Sequence, residues 1–209
     1  MTRVIGGVAG GRRLAVPRGT TTRPTSDRAR EGLFATVRSE LGSLEGKRVL
    51  DLYAGSGAVG LEALSRGAGH VLLVESDTRT AAVIKANVNA LGMAGATVVT
   101  DRAERLLGRP PAESDRYDLV FADPPYAVTA AAVTRVLAML AGGWLAGDAL
   151  VVVERATRSG ALEWPPGYLP GKSRRYGEAT FWYGWFGGGA DIDIAGHARE
   201  AAPRPALEE

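Results

Sequence analysis

A glycine-rich turn between a short apolar strand and a helical pattern constrains this chain of 209 residues more than any other feature. Residues 49–53 predict a buried strand, and Gly55, Gly57 and Gly60 follow it in GxGxxG spacing. In βαβ units this spacing lets the backbone approach a ligand at the start of the helix. The turn therefore predicts an open α/β sheet whose ligand site lies at the carboxyl edge of its strands.

Strand and helix patterns alternate along the middle of the chain. We predict strands at 48–53, 71–74, 96–100, 117–122 and 149–154, and helices from Thr25 or Ser26 to about Leu41 and at 59–65, 80–91 and 130–140. This alternation implies right-handed crossovers and a mostly parallel sheet with helices on both faces. Residues 180–186 have no helix before them, so we expect them to add an antiparallel strand.

Composition divides the chain into three zones. Residues 1–24 are rich in glycine and arginine, which predicts a basic arm or hairpin with small strands at 4–5 and 14–16. Residues 25–186 form the predicted α/β domain, and residues 187–209 are predicted to be a disordered tail. Residues 1–30 carry seven arginines and one acid, although the whole chain has a net charge of only +2, and this asymmetry suggests a polyanionic partner.

The composition also excludes several chemistries. The chain has no cysteine and two histidines, His70 and His197, which removes thiolate catalysis and leaves little for histidine-based catalysis or a metal site. Its apolar stretches are shorter than the roughly 20 residues that a membrane-spanning helix needs. No secretory signal is visible at the N-terminus. We therefore expect a cytoplasmic protein with no metal and no membrane partner.

The ligand of the glycine loop is predicted from two carboxylates. Glu75 ends the next strand, 20 residues after Gly55, where it can accept both hydroxyl groups of an adenosine ribose. A dinucleotide cofactor would share this feature, but Asp51 would repel its pyrophosphate. The sulfonium and ammonium groups of S-adenosylmethionine suit Asp51 better, although the carboxylate could instead simply cap the turn. Asp101, after the third strand, is expected near the adenine unless it is a solvated turn acid.

A second motif, Asp123-Pro124-Pro125-Tyr126, ends the fourth strand at the same edge. The two prolines stiffen the turn and fix the Pro124 carbonyl relative to Asp123. Two such acceptors can hold the N–H groups of an exocyclic purine amine and aim its lone pair at a methyl donor, while Tyr126 stacks on the base. The alternative is a rigid turn that ends the strand, with Tyr126 in the core.

These motifs together resemble the class I S-adenosylmethionine-dependent methyltransferases, and more narrowly the RsmD family of 16S rRNA guanine-N2 methyltransferases. The resemblance covers roughly residues 3–186 and is carried by segments 3–14, 23–34, 51–57 and 123–126. It implies a Rossmann-like, mostly parallel seven-stranded sheet with a small N-terminal hairpin. It also implies methylation of a guanine, position 966 in the usual rRNA numbering, in the small ribosomal subunit or an assembly intermediate. We separately expect the enzyme to be a monomer.

The resemblance also implies roles for particular residues. The expected catalytic residues are Asp123, Pro124 and Tyr126. The expected donor-binding residues are Asp51, Tyr53, Gly55, Ser56, Gly57, Glu75, Ser76, Asp101, Arg102 and Asp123. The basic residues expected to contact RNA phosphates are Arg12, Arg13, Arg23, Arg28, Arg30, Lys172, Arg174 and Arg175, and we also consider Arg155 and Arg158.

Four alternative functions remain open at this point. A DNA adenine-N6 methyltransferase can use the same turn, but usually carries a larger recognition insert. A protein-glutamine methyltransferase typically has Asn in place of Asp123. An NAD-dependent oxidoreductase and a non-catalytic RNA chaperone with the same fold complete the set. Binding of S-adenosylmethionine but not NAD would separate the leading hypothesis from the oxidoreductase.

Overall fold

The computed structural model describes residues 2–17, 26–112 and 115–187. Two sheets, five α-helices and a short 3₁₀ helix at Thr157–Ser159 are present in these ranges. The strands are β1 Thr2–Arg3, β2 Arg13–Leu14, β3 Arg48–Leu52, β4 His70–Glu75, β5 Ala96–Thr100, β6 Tyr117–Ala122, β7 Leu145–Ala156, β8 Tyr168–Tyr176 and β9 Ala179–Phe186. The helices are α1 Asp27–Leu41, α2 Ala58–Ser65, α3 Thr78–Leu91, α4 Ala103–Leu107 and α5 Ala130–Ala141. None of these helices could span a bilayer.

The larger sheet has the order β5-β4-β3-β6-β7-β9-β8 within the described residues. The pairs among the first five strands of this order are parallel, whereas β9 is antiparallel to both β7 and β8. The predicted mostly parallel seven-stranded sheet is therefore confirmed, including the antiparallel strand near residues 180–186. The centre of the sheet, where β3 and β6 meet, brings the glycine loop next to the Asp123 turn.

Helix starts follow the capping residues in the sequence. Ser26 accepts a hydrogen bond from the Ala29 amide at the start of α1, and Asp77 accepts one from the Thr80 amide at the start of α3. These bonds satisfy amides that a helix leaves without an internal partner. Gly92 ends α3 in the left-handed conformation, as its position in the sequence predicts.

Two apolar cores cover the two faces of the large sheet. The first packs α1, α2, α3 and the N-terminal hairpin, with Phe34, Leu61 and Ile84, against side chains such as Phe121 on one face. The second packs α4 and α5, with Leu137, on the other face. Helices therefore lie on both faces, as predicted.

The predicted small N-terminal hairpin is confirmed, but it packs in the first core and is not an extended basic arm. Its strands pair at Thr2 with Leu14 and at Arg3 with Arg13, not at the predicted 4–5 and 14–16. Val4 is fully buried, and the backbone amides of Ile5 and Gly6 donate to the buried carboxylate of Glu62 on α2, at 2.6 and 2.9 Å. The hairpin is thus attached to the domain by both apolar packing and hydrogen bonds.

Two elements were missing from the sequence prediction, namely β8 and α4. The β8 segment contains Pro170 and Gly171 and is mostly exposed, so it lacks the apolar alternation that indicates a strand. Helix α4 has only five residues, too few for a helical period to stand out. The predicted tail after residue 187, and segment 18–25 of the predicted arm, lie outside the described residues.

Candidate active site

The glycine loop lies between β3 and α2 at the carboxyl edge of the large sheet. Gly55 and Gly57 have positive φ angles of 56° and 77°, which favour glycine. The Gly57 amide donates to the Ala54 carbonyl at 2.7 Å and tightens the turn. Tyr53, which begins the turn, also has a positive φ of 62°, a strained conformation for a bulky side chain. Such strain is common at ligand-binding turns.

Asp51 is almost completely buried beneath this loop. Its Oδ2 accepts a hydrogen bond from the Gly60 amide at 2.8 Å, so the carboxylate does cap the first turn of α2. Burial, and then the nearby Glu75, raise the pKa of Asp51 to about 7, while the Gly60 hydrogen bond opposes this rise. A buried anion with no compensating cation among the described residues is suited to a cationic ligand. The cap and the donor-binding role are therefore compatible.

Glu75 holds the turn that faces this loop. One of its oxygens accepts the Gly55 amide at 3.0 Å and the other accepts the Asp77 amide at 2.8 Å. Each carboxylate oxygen has two lone pairs, so both can still accept a ribose hydroxyl. Ser76 lies beside it on the exposed rim.

Asp101 follows β5 on the same edge and is not a solvated turn acid. Its side chain is only 14% exposed and pairs with Arg109 at 3.2 Å. It also accepts the backbone amide of Arg102 at 2.9 Å, whereas the Arg102 side chain is exposed. Asp101 and Arg102 therefore lie at the carboxyl edge of the sheet, where the adenine of the donor is expected.

A buried amide joins the donor loop to the N-terminal hairpin, and sequence reasoning missed it. Asn87 on α3 donates from Nδ2 to the carbonyl oxygens of Ser56 and Ala15, both at 3.0 Å. Its Oδ1 accepts the Ala15 amide at 2.8 Å. Asn87 therefore fixes the Ser56 peptide of the loop and the hairpin segment that follows β2.

The Asp123 turn follows β6, next to β3 in the sheet. Desolvation, and then Glu154 and Asp51, raise the pKa of Asp123 well above its ordinary value. Pro124 is buried, but Tyr126 is 56% exposed. The alternative in which Tyr126 is a core residue is therefore wrong, and its ring is accessible to a flat ligand.

The sequence prediction also missed Glu154, a carboxylate near the end of β7 with only 5% of its surface exposed. Partial burial, and then Glu154 and Asp123, raise the pKa of Tyr126. A charged residue after the apolar run 149–153 was the available signal. The expected phosphate contact of Arg155 is wrong, because its side chain is buried and its Nη1 donates to the Val128 carbonyl at 3.1 Å.

The structure sorts the predicted RNA-binding residues into separate groups. Arg30 is fully buried and bonded to Thr2, the Arg3 carbonyl and Asp27, so its assignment to RNA is wrong. Arg12 donates to the Ala90 and Leu91 carbonyls at the end of α3, and Lys172 pairs with Glu40. Arg23 lies outside the described residues. Arg13, Arg28, Arg158, Arg174 and Arg175 are also exposed, and Arg175 Nε donates to the Gly177 carbonyl at 2.9 Å.

The strand order, the glycine loop after β3 and the carboxylates that end β4 and β6 define a Rossmann-like class I methyltransferase fold. The family profile described as Conserved hypothetical protein 95 matches residues 2–185, and the chain belongs to this family.

Relatives of known name and structure agree with this membership. Ribosomal RNA small subunit methyltransferase D of Escherichia coli K12 is 34% identical over 180 residues, which cover 86% of this chain and 87% of the relative. The solved structure of yhhF from Escherichia coli matches with a TM-score of 0.77 at 31% identity, covering 88% of this chain and 97% of that one. A hypothetical protein of Thermus thermophilus matches with a TM-score of 0.72 at 35% identity, covering 88% and 98%.

Proposed function

We propose that this chain is an S-adenosylmethionine-dependent methyltransferase that methylates the exocyclic N2 of a guanine in small-subunit rRNA. The observation that carries the proposal is the adjacency of the glycine loop and the Asp123 turn on neighbouring strands, β3 and β6. The relative from Escherichia coli that bears the name of an rRNA methyltransferase spans the same residues. We further propose that the enzyme acts as a cytoplasmic monomer on the small subunit or an assembly intermediate.

The described residues fit the methyl donor better than a nucleotide diphosphate. Asp51 and Glu75 place two carboxylates at the loop, and no lysine or arginine occurs between Val49 and Ser65 to neutralise a pyrophosphate. When bound, S-adenosylmethionine supplies a methyl carbon attached to a positively charged sulfur. Asp51 would stabilise the cationic part of this donor, and Glu75 would hold the ribose.

Asp123 and Pro124 would activate the amine that receives the methyl group. The lone pair of guanine N2 is delocalised into the ring, so the amine is a weak nucleophile. Acceptance of its two N–H groups by the Asp123 carboxylate and the Pro124 carbonyl favours a pyramidal nitrogen aimed at the methyl carbon. The N–C bond forms as the C–S bond breaks, the electron pair leaves with sulfur, and the surplus N2 proton passes to Asp123 or water.

The exposed arginines and Tyr126 would hold the RNA at this edge. Unpaired loop nucleotides can be splayed out at small cost, and an exposed aromatic ring can stack on the base. Arg13, Arg28, Arg174 and Arg175 are the basic residues that we propose to contact phosphates. Arg12 and Lys172 already have protein partners, so we expect them to contribute less.

A direct assay tests the proposal. Purified protein is incubated with labelled S-adenosylmethionine and small ribosomal subunits from a deletion strain, and the labelled nucleoside is identified by mass spectrometry. We expect N2-methylguanosine at one position. Labelling of duplex DNA instead would favour the alternative function of a DNA adenine-N6 methyltransferase, which the named relatives do not support. Binding of NAD instead of S-adenosylmethionine in calorimetry would contradict the donor assignment.

A further inference from the structure

Glu154 lies beside Asp123 on the side of the turn that faces away from the donor loop. Strands β6 and β7 are parallel, with Ala122 opposite Val153, so the next position on each strand carries Asp123 and Glu154. Phe121 and Val152, two residues before Asp123 and Glu154 respectively, pack in the first core. Because side chains alternate along a strand, Glu154 points to this same face.

Asp51 marks the opposite side of Asp123. It pairs with Phe121 across β3 and β6, so its side chain also points to the first-core face. Both Asp51 and Glu154 raise the pKa of Asp123, which is consistent with a carboxylate placed between them. The order along the sheet edge is therefore Asp51 at the donor loop, Asp123 in the middle, and Glu154 on the far side.

This order fixes the direction in which a purine would extend. An amine held at Asp123 faces the donor over β3 and β4, so the ring to which it is attached must lie towards β7. Glu154 is 5% exposed and adjoins Asp123 across the β6–β7 register, so its carboxylate lies in a largely desolvated position beside the turn. Tyr126, three residues after Asp123 and 56% exposed, offers an aromatic ring at the same turn.

The end of β7 also supports the turn that carries Tyr126. Arg155, the next residue, points to the opposite face, where its Nη1 donates to the Val128 carbonyl at 3.1 Å. The Val128 amide in turn donates to the Pro125 carbonyl at 2.8 Å. Glu154 therefore adjoins Asp123 on one face of the sheet, and Arg155 supports the residues after the Asp123 turn on the other face.

The base edges of guanine and adenine differ at the ring nitrogen N1, which lies next to the amino carbon in both bases. In guanine N1 carries a hydrogen, whereas in adenine it is an acceptor. A carboxylate at this position accepts from guanine and repels the lone pair of an acceptor nitrogen.

We propose that Glu154 is a specificity-determining residue that accepts the N1–H hydrogen bond of the target guanine while Asp123 holds the amine. This inference rests on the proposed function, because it concerns the same site. It assigns base recognition to β7 and the chemical step to the Asp123 turn.

Base analogues provide the test. Small subunits are reconstituted with 16S rRNA that carries either guanine or 2-aminopurine at the methylated position. 2-Aminopurine keeps the exocyclic amine but has an unprotonated N1. The wild type, Glu154→Gln and the exposed control Glu163→Gln are compared by kcat/KM for each substrate, with S-adenosylhomocysteine affinity and thermal unfolding as checks on the fold.

We expect Glu154→Gln to lower kcat/KM for guanine by about 10-fold, because the glutamine oxygen can still accept the N1–H but without the charge of the carboxylate. The same variant should be unchanged or faster on 2-aminopurine, because a glutamine amide can donate to its N1. Donor affinity should stay within about twofold, and Glu163→Gln should match the wild type on both substrates.

Equal losses on the two substrates would overturn the inference, since a merely structural role affects both alike. If Glu154→Gln does not fold, the two substrates are compared with the wild type alone. A wild-type kcat/KM for 2-aminopurine equal to that for guanine would also overturn the inference. Failure of the wild type to methylate guanine would instead contradict the proposed function.

Discussion

Asp51 and Gly60 are in such close contact that a side chain at residue 60 would have to displace the Asp51 carboxylate. The Gly60 amide donates to Asp51 Oδ2 at 2.8 Å, and a Cβ at residue 60 would lie 3.0 Å from that same oxygen. The third glycine of the GxGxxG pattern is therefore required by the buried carboxylate as well as by the packing of α2 on the sheet. This contact places an anion where a cationic donor can use it.

Asp51→Asn should change how stability depends on pH. The folded-state pKa of Asp51 is about 7, above the ordinary 3.8, so the folded protein binds this proton more tightly than the unfolded chain. The contribution of Asp51 to the free energy of unfolding is therefore largest below about pH 4. It falls as pH rises towards and past 7, by roughly 4 kcal/mol at most. Asn should remove this loss, so urea unfolding should show the variant to be more stable than the wild type at pH 8 and similar at pH 4. An identical pH dependence in both proteins would contradict the assignment.

Asp123→Ala should abolish methyl transfer while donor binding survives. The carboxylate is proposed to hold the reacting amine and to take its proton, so its loss should reduce kcat by about 10²- to 10⁴-fold. Calorimetry should give an S-adenosylhomocysteine affinity close to that of the wild type. The exposed Glu163→Ala variant serves as the control, and undiminished turnover in Asp123→Ala would refute the catalytic role.

Tyr126→Ala should weaken substrate use, and Tyr126→Phe should not. A stacked aromatic side chain contributes about 1–3 kcal/mol per base, so Ala should lower kcat/KM on small subunits by roughly 10- to 100-fold. Phe keeps the stacking surface and lacks only the hydroxyl group. Steady-state kinetics of the two variants separate stacking from any need for the hydroxyl, and an equal loss in both would argue against stacking.

Asn87→Ala should loosen the donor loop and the hairpin together. It would leave the Ser56 and Ala15 carbonyls and the Ala15 amide without their partner. We expect a loss of about 2–3 kcal/mol in the free energy of unfolding and a weaker affinity for S-adenosylhomocysteine. Asn89→Ala, two residues along α3 on its exposed face, is the matched control and should change neither quantity. Unaltered donor affinity in Asn87→Ala would limit Asn87 to a structural role.

Arg30→Ala should lower the stability of the protein, whereas Arg28→Ala should lower its affinity for RNA. Arg30 is buried and hydrogen-bonded to Thr2, the Arg3 carbonyl and Asp27, so its removal should cost about 3 kcal/mol of stability. Arg28 is exposed, and its removal should change stability by less than about 0.5 kcal/mol but weaken RNA binding, with a smaller salt dependence. Chemical denaturation and filter binding measure the two effects, and a stable Arg30→Ala variant would count against the buried role.

Most strands of the sheet could be predicted from the sequence, because the strands and the glycine turn are indicated by local residue patterns. Residues 96–100 and 117–122 alternate with helical segments, and Ser26 and Gly92 lie at the ends of the helices they were predicted to bound. Strand β8 escaped prediction because it is exposed and interrupted by Pro170 and Gly171, so its strand structure comes from pairing with β9.

The roles of individual charged residues required the tertiary structure. Arg28 and Arg30 are two positions apart in an arginine-rich segment, yet one is exposed and the other fully buried. The direction of a helical side chain depends on what the helix packs against, which charge alone does not reveal. Glu154 and Arg155 likewise point to opposite faces of β7, and only the register with β6 shows that Glu154 adjoins Asp123.

The attachment of the N-terminal hairpin to α2 and α3 limits how such an extension could have been acquired. Val4, Ala9 and Leu14 complete an apolar layer that the rest of the domain leaves open, and Glu62 is buried beneath the backbone of Ile5 and Gly6. A chimera that grafted these two strands onto another methyltransferase would transplant them without the helices that hold them. The hairpin and helices α2 and α3 therefore form one packing unit, in which a change on one surface must be accommodated by the other.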